Sequence, residues 1–230
     1  MIDKKDFNNK TFLDIGSGSG LSSLAAIRLG AKVTSFDYDV ESVNASKRLK
    51  EKFGIKNWEI MQGSVLNKNF LNSLGKFDIV YSWGVLHHTG NMLESFSNIE
   101  VNVKKNGLLY ISIYNDQGYR SKIWKRIKLF YIKYSVLRPF MIYIFVLYFW
   151  GPKSIYDFFR LKPFKSWKDY KKRRGMSPYF DVIDWIGGYP FEVAKPDQVI
   201  YYFTEKNFQL IKLKTCGGKL GCNEFVFKKN

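Results

Sequence analysis

The chain has 230 residues, 46% of them hydrophobic, and carries 37 Lys and Arg against 20 Asp and Glu for a formal charge of +17. That length suits one α/β domain with a buried core and one sizeable insertion. Two cysteines, Cys216 and Cys222, and a polar amino terminus argue against a disulfide-framed secreted protein and for a cytoplasmic one with reduced thiols. The longest apolar run, Pro139 to Trp150, has 12 residues, too short for the roughly 20 that a spanning helix needs. It is expected to be buried or to lie along an interface.

In chain order, the first element is the stretch Phe12 to Gly20, which reads Phe-Leu-Asp-Ile-Gly-Ser-Gly-Ser-Gly and leads into a helix-forming run, Leu21 to Leu29. This is a buried strand turning sharply into a helix, with glycines that let the backbone approach a ligand. A dinucleotide fingerprint spaces its glycines as Gly-x-Gly-x-x-Gly. Here the third glycine comes one residue early, at Gly20, and no lysine is present to hold a triphosphate. Asp37 lies 17 residues further on, at the carboxyl end of the next apolar segment, where a carboxylate can take both hydroxyls of a ribose. Asp14 lies inside the first strand and needs hydrogen-bond donors, because an unpaired buried carboxylate is costly.

The stretch resembles the glycine-rich first motif of class I S-adenosylmethionine-dependent methyltransferases, with Asp37 at the family's ribose-binding acid. The resemblance implies a Rossmann-like α/β fold: a seven-stranded, mostly parallel sheet with a terminal antiparallel hairpin. It implies S-adenosylmethionine as cofactor and S-adenosylhomocysteine as product. Asp14, Gly16, Gly18, Gly20, Asp37, Tyr38, Ser64, Val65 and Ser82 are the expected cofactor-binding residues, with no metal. Asp14 is expected to accept from the glycine turn or to orient the cofactor's amine. Ser64 stands where the family often has an acid for the adenine amino group, and Val65 and Leu66 would pack on the ring. Many members close the pocket with an amino-terminal helical segment; only ten residues precede the first strand here, so a lid is expected from elsewhere.

Helical periodicity over Val40 to Phe53 is followed by strands at Asn57 to Met61, Phe77 to Tyr81 and Gly107 to Tyr114, with a helix over Asn91 to Val103. Five alternations of strand and helix predict a parallel sheet with right-handed crossovers. Both histidines of the chain, His87 and His88, follow the fourth strand, at the edge where such sheets bind ligands. A histidine has the basicity to take a proton from an acceptor hydroxyl near neutral pH. His87 is the expected catalytic member and His88 the structural one; the alternative is that both only cap and pack.

From Asp116 to Glu192 the alternation breaks. Residues 116–192 hold 16 Lys and Arg against 6 Asp and Glu, and 22 of the 41 aromatic residues. Gly118 to Tyr134 is an amphipathic basic helix and Pro139 to Trp150 a second helix. Lys171 to Arg174 is an exposed basic run. The chain divides into a core, residues 1–115 and 193–230, and this helical insertion after the fifth strand, expected to act as lid or acceptor-binding part. A helix from Pro196 and two strands, Phe208 to Thr215 and Cys222 to Phe227, close the fold. Asn115, Asp116, Tyr189, Asn223 and Glu224 are the acceptor-site candidates; ordinary turn chemistry is the alternative.

The run Asp184 to Glu192 and the ending from Thr215 look like a bacterial subgroup associated with surface-polysaccharide or secondary pathways. The resemblance therefore implies O-methylation of a small or glycan-type acceptor, for which an anionic, nucleotide-linked or phosphorylated form is one expectation. RNA methylation, or a non-catalytic partner of this fold, are the alternatives. Basic aromatic helices also suit an anionic membrane surface, against which stands the spread of aromatics through the insertion rather than along one stripe.

Overall fold

The computed structural model describes residues 1–230, the side chains of Arg173 and Arg174 excepted. Two compact units make up the chain: Met1–Gln117 with Glu192–Asn230, and Gly118–Phe191.

The first unit is built on seven strands: β1 (Thr11–Ile15), β2 (Lys32–Asp37), β3 (Trp58–Gln62), β4 (Phe77–Trp83), β5 (Val103–Tyr114), β6 (Phe208–Lys214) and β7 (Cys222–Lys229). Their order in the sheet is β3-β2-β1-β4-β5-β7-β6. The first five are parallel, and β7 runs antiparallel to both β5 and β6. This is the expected Rossmann-like sheet with its terminal hairpin. Between strands lie α1 (Leu21–Arg28), α2 (Val40–Lys52), α3 (Lys68–Leu74), α4 (Met92–Ile99) and α9 (Pro196–Glu205).

Four consecutive residues of β1, Phe12 to Ile15, are buried, as a parallel strand covered on both faces requires. Leu13 and Ile15 join Val80, Leu109, Ile111 and Phe203 on one face. Phe12 joins Ala26, Val33, Trp58 and Ile79 on the other. The short helix α3 has no counterpart in the sequence reading, because its apolar face is only Phe70, Leu71 and Leu74, too short a run to show helical periodicity.

The second unit contains α5 (Tyr119–Lys133), α6 (Arg138–Phe159), α7 (Lys165–Arg174) and α8 (Pro178–Gly187). Its core is Tyr131, Met141, Trp150, Val182 and Ile186. One sequence expectation is corrected here. The second helix does not stop at Trp150 but runs through Gly151 and Pro152 to Phe159. Burial of Trp150 on one side of the proline and of Asp157 on the other anchors both halves, with Asp157 accepting from Ser166 at 2.6 and 2.8 Å. Of the two alternatives for the apolar run, burial does not hold, since only Met141, Trp150 and Asp157 of this helix are buried. In the basic run Lys171 and Lys172 are exposed; the side chains of Arg173 and Arg174 lie outside the described residues.

Candidate active site

In this sheet the chain turns one way from β1, through β2 to β3, and the other way from β4 to β5. The crevice of such a fold opens beyond the carboxyl ends of β1 and β4, where the order reverses. The loops after those two strands therefore frame the candidate site.

All three glycines of the first loop have positive φ: 72° at Gly16, 53° at Gly18 and 78° at Gly20. Their surroundings differ. A Cβ on Gly16 would stand 2.4 Å from Val85 Cγ2, so this glycine lets the loop after β4 press against the loop after β1. A Cβ on Gly20 would meet Ser46 Oγ and the Trp58 ring, both at 2.7 Å, which is packing of helix on sheet. A Cβ on Gly18 would meet nothing within 4 Å. Beside it, the Ser17 hydroxyl is buried with no hydrogen-bond partner among the described residues. The middle of the loop is thus the part shaped for something other than its own chain.

Asp37 ends β2, and its carboxylate accepts from Gly18 N–H at 2.8 Å and from Asp39 N–H at 3.0 Å. Each oxygen receives one donor and keeps acceptor capacity for another. Tyr38 next to it is largely exposed. Asp14 is buried and accepts from Ser23 Oγ at 2.6 Å, so its donor comes from α1 rather than from the glycine turn. Burial pushes its carboxyl up to about 6, the Ser23 hydrogen bond opposes that, and the Asp37 charge adds to it. Ser64 follows β3 and is half-buried. Val65 belongs to the main core, and its carbonyl accepts from Asn98. Its side chain is buried in that core. Ser82 is buried and donates to the Ile15 carbonyl at 3.2 Å, tying β4 to β1.

His87 and His88 occupy a short 3-10 turn, Leu86–His88. Their rings are 4.5 Å apart, and Tyr114 at the end of β5 lies 4.0 Å from His87 and 5.3 Å from His88. His87, the expected catalytic member, is 0% exposed, whereas His88 is half-buried and the more accessible of the two. The turn is fixed from behind. Glu192 N–H donates to the His87 carbonyl at 2.9 Å, while the Glu192 carboxylate accepts from Met92 N–H, the first amide of α4, at 3.0 Å beside the Asn91 cap.

The remaining sequence candidates separate. Asn223 is buried; its amide donates to Asn115 Oδ1 at 3.0 Å and its oxygen accepts from Cys216 N–H at 3.1 Å. Asn115 in turn donates to the Lys219 carbonyl. These two side chains close the β6–β7 hairpin onto the end of β5. Glu224 accepts from the Tyr110 hydroxyl and pairs with Lys214 at 2.9 Å. Burial alone would raise its carboxyl, but Tyr110 and Lys214 outweigh that and hold it below the ordinary value. Asp116 N–H donates to the Ala194 carbonyl. Tyr189 belongs to the second unit. Tyr114, Ser23 and Glu192 were not singled out by sequence. Tyr114 alone carried a signal, as an aromatic residue ending the strand beside the histidine loop.

The chain matches a family model described as a methyltransferase domain over residues 6–131. Over 69 residues it is 39% identical to the ribosomal protein L11 methyltransferase of Campylobacter hominis, covering 30% of this chain and 23% of that protein. Over 111 residues it is 28% identical to the ubiquinone biosynthesis O-methyltransferase of Pelagibacter ubique, covering 48% of this chain and 45% of that one. The chain thus spans less than half the length of either curated relative. Among solved structures, magnesium protoporphyrin IX methyltransferase from Synechocystis PCC 6803 with bound SAH superposes with a TM-score of 0.56 at 15% identity. That superposition covers 97% of this chain and 76% of the other, and likens the two in fold.

Proposed function

The chain belongs to the methyltransferase-domain family, and from that premise we propose that it transfers a methyl group from S-adenosylmethionine to an acceptor hydroxyl. The observation that carries the proposal is the Gly18–Asp37 pair: a half-satisfied carboxylate hydrogen-bonded to a loop whose midpoint faces open space. The cofactor's part is an activated methyl on a sulfonium. The chain's part is to hold it and to align and deprotonate the acceptor.

In this reading Asp37 takes the ribose hydroxyls, and Gly16, Gly18 and Gly20 keep the loop backbone close to the nucleoside. Ser64 meets the adenine edge through its hydroxyl or backbone, and Tyr38 covers the outer side. Asp14 acts behind the loop through Ser23. The acceptor oxygen gains the methyl carbon as the carbon–sulfur bond breaks, and its proton passes to the imidazole of His88. His87, tilted against it, and Tyr114, edge-on to it, set the angle of that ring.

The acceptor we propose is a small or glycan-type molecule, anionic by virtue of phosphate or a linked nucleotide, as in bacterial surface-polysaccharide synthesis. The excess of 16 Lys and Arg over 6 Asp and Glu in residues 116–192 supports an anion, because a fixed positive field concentrates one. The O-methyltransferase among the relatives supports oxygen as the atom methylated. We assign cofactor handling to residues 1–115 with 193–230, and acceptor choice to residues 116–192.

Titration calorimetry with S-adenosylmethionine and S-adenosylhomocysteine tests the first step. Binding that drops about 100-fold in Asp37→Ala is expected, since two hydrogen bonds to a charged group are lost at about 1.5 kcal/mol or more each. Absence of binding to the wild-type chain would leave a non-catalytic member of the fold. A mass-spectrometric screen for methylated products across sugar nucleotides, phosphorylated metabolites and total RNA then tests the acceptor; transfer to RNA alone would replace the glycan reading.

A further inference from the structure

We infer that the second unit docks on an anionic lipid bilayer, with the exposed face of α6 lying in the plane of the headgroups. The inference goes beyond the methyl-transfer reading and stands without it.

It starts from the helical spacing of uncovered apolar residues. Phe140, Tyr143, Ile144, Leu147, Tyr148 and Ile155 recur at intervals of three, four and seven, which puts them on one side of α6. Each is between 43% and 65% exposed. No charged residue occurs between Pro139 and Pro152, so the stripe is unbroken over more than three turns. An apolar stripe of this length on a chain in water signals an interaction surface. The sequence objection, that aromatics are scattered through the insertion, therefore fails: the inward set is a core and the outward set is a stripe.

What covers the stripe is indicated by charge. The unit Gly118–Phe191 carries 16 Lys and Arg against 4 Asp and Glu. Basic groups flank α6 at both ends: Arg138 starts it, and Arg160, Lys162 and Lys165 follow it. Arg138 and Arg160 also sit over tyrosine rings, Tyr131 at 5.4 Å and Tyr156 at 4.7 Å. Apolar side chains between basic termini, with tyrosines along the edge, is the composition of a helix at the boundary of an anionic leaflet. Beyond the ends, Val136 and Leu161 are each 90% exposed and can enter the acyl region. A nucleic acid would explain the lysines and the rings but not exposed Ile144, Leu147 and Ile155 in the same stripe.

The helix lies in the membrane rather than across it. Ser135–Phe159 has the length and hydropathy of a span. A span, however, needs lipid or apolar protein on every side. The inner face of α6 packs with α5 and α8 through Tyr131, Val182 and Ile186, and α5 carries exposed Arg120, Lys122, Lys125, Arg126 and Lys133 over the same length. Those charges cannot enter hydrocarbon, so only the outer face of α6 can.

Vesicle flotation of the full chain tests this, with phosphatidylcholine vesicles containing 30% phosphatidylglycerol against pure phosphatidylcholine. The wild-type chain is expected to partition at least tenfold better into the anionic vesicles, each engaged Lys or Arg contributing about fivefold. Leu147→Glu with Ile155→Glu is expected to lower partition by about 100-fold, and Tyr143→Ser with Tyr148→Ser by about tenfold, with wild-type circular dichroism. Cofactor affinity, measured separately, is expected unchanged, so failure here and failure of the methyltransferase reading are told apart. Four results would overturn the inference: no vesicle binding, vesicle binding indifferent to the glutamates, RNA binding that displaces vesicles and ignores the glutamates, or a dimer that the glutamates dissolve.

Discussion

Adding one methyl group at two neighbouring glycines separates the two jobs of the first loop. At Gly20 the new Cβ meets Ser46 Oγ and the Trp58 ring at 2.7 Å, and Trp58 is pinned by its own hydrogen bond to Ser35 at 2.9 Å. Left-handed backbone with a side chain costs about 1–2 kcal/mol, and forcing a methyl into a packed site costs about 1–3 more. Gly20→Ala is therefore expected to lose about 2–5 kcal/mol of stability. At Gly18 only the backbone cost applies, about 1–2 kcal/mol, because no protein atom lies within 4 Å. The space that Cβ enters belongs to the candidate nucleoside, so Gly18→Ala is expected to weaken S-adenosylmethionine binding by tenfold or more. Scanning calorimetry checks the first half, with a fall in Tm of about 2–4 °C per kcal/mol. Titration calorimetry checks the second. Equal destabilisation by the two variants, with cofactor affinity intact in Gly18→Ala, would refute the reasoning.

Two carboxylates of the first unit titrate in opposite senses. Asp14 is raised to about 6 by burial, so the folded state holds the proton more tightly, and stability falls as pH rises from about 4 to 6. Asp14→Asn is expected to remove that fall and to gain roughly 2–3 kcal/mol at pH 7, read from thermal melts across pH. Asp78 is partly desolvated, which alone would raise it, but Thr11 and Lys104 hold it down at about 2. Its stabilisation is present above the ordinary value near 3.8 and lost as pH falls to 2, so Asp78→Asn should melt earlier at pH 7 and match the wild type near pH 2. Burial lowers Lys128 to about 8, so the second unit should gain stability as pH rises from 8 to 10.5. Lys128→Met should show a flatter profile over that window. Glu192→Ala takes the acceptor from the first amide of α4 at about 1 kcal/mol while the Asn91 cap stays, and hydrogen exchange at the Met92 amide should quicken about fivefold.

The sheet was legible because its evidence is local. Apolar runs of strand length alternate with helical periodicity, and three glycines mark one turn, so each element can be read within about 15 residues of chain. The hairpin was legible for the same reason, its strands being separated by a short glycine-rich loop. The extent of α6 was not, because Gly151 and Pro152 are ordinary stop signals, overridden here by burial of Trp150 and Asp157 on either side. The roles of Asn115 and Asn223 were hidden by distance: their hydrogen bond joins residues 108 apart. Which histidine faces solvent depends on the 3-10 turn at Leu86–His88, a choice that spacing cannot make.

Hydrogen-bond capacity sorts the candidate residues more sharply than position does. A side chain whose donors and acceptors already meet the protein has little left for a ligand, and breaking such a bond to recruit it costs about 1–3 kcal/mol. Ser82 holds Ile15, and Asn223 uses both ends of its amide. Both stand near strand ends, where ligands bind, yet each maintains the frame. Glu224 and Asp37 each have one donor to each oxygen and room for a second, but Glu224 spends its charge on Lys214, whereas both donors to Asp37 are backbone amides. Ser17 keeps a buried hydroxyl without a partner among the described residues. Asp37 at the end of β2 and Ser17 in the first loop both adjoin Gly18, the one of that loop's three glycines whose added methyl would meet nothing within 4 Å. Three independent properties, unspent acceptor capacity, an orphaned hydroxyl and a vacant Cβ direction, converge there. For that reason the cofactor assignment rests on the β1–β2 edge, and the histidine turn beyond β4 is left to serve the acceptor.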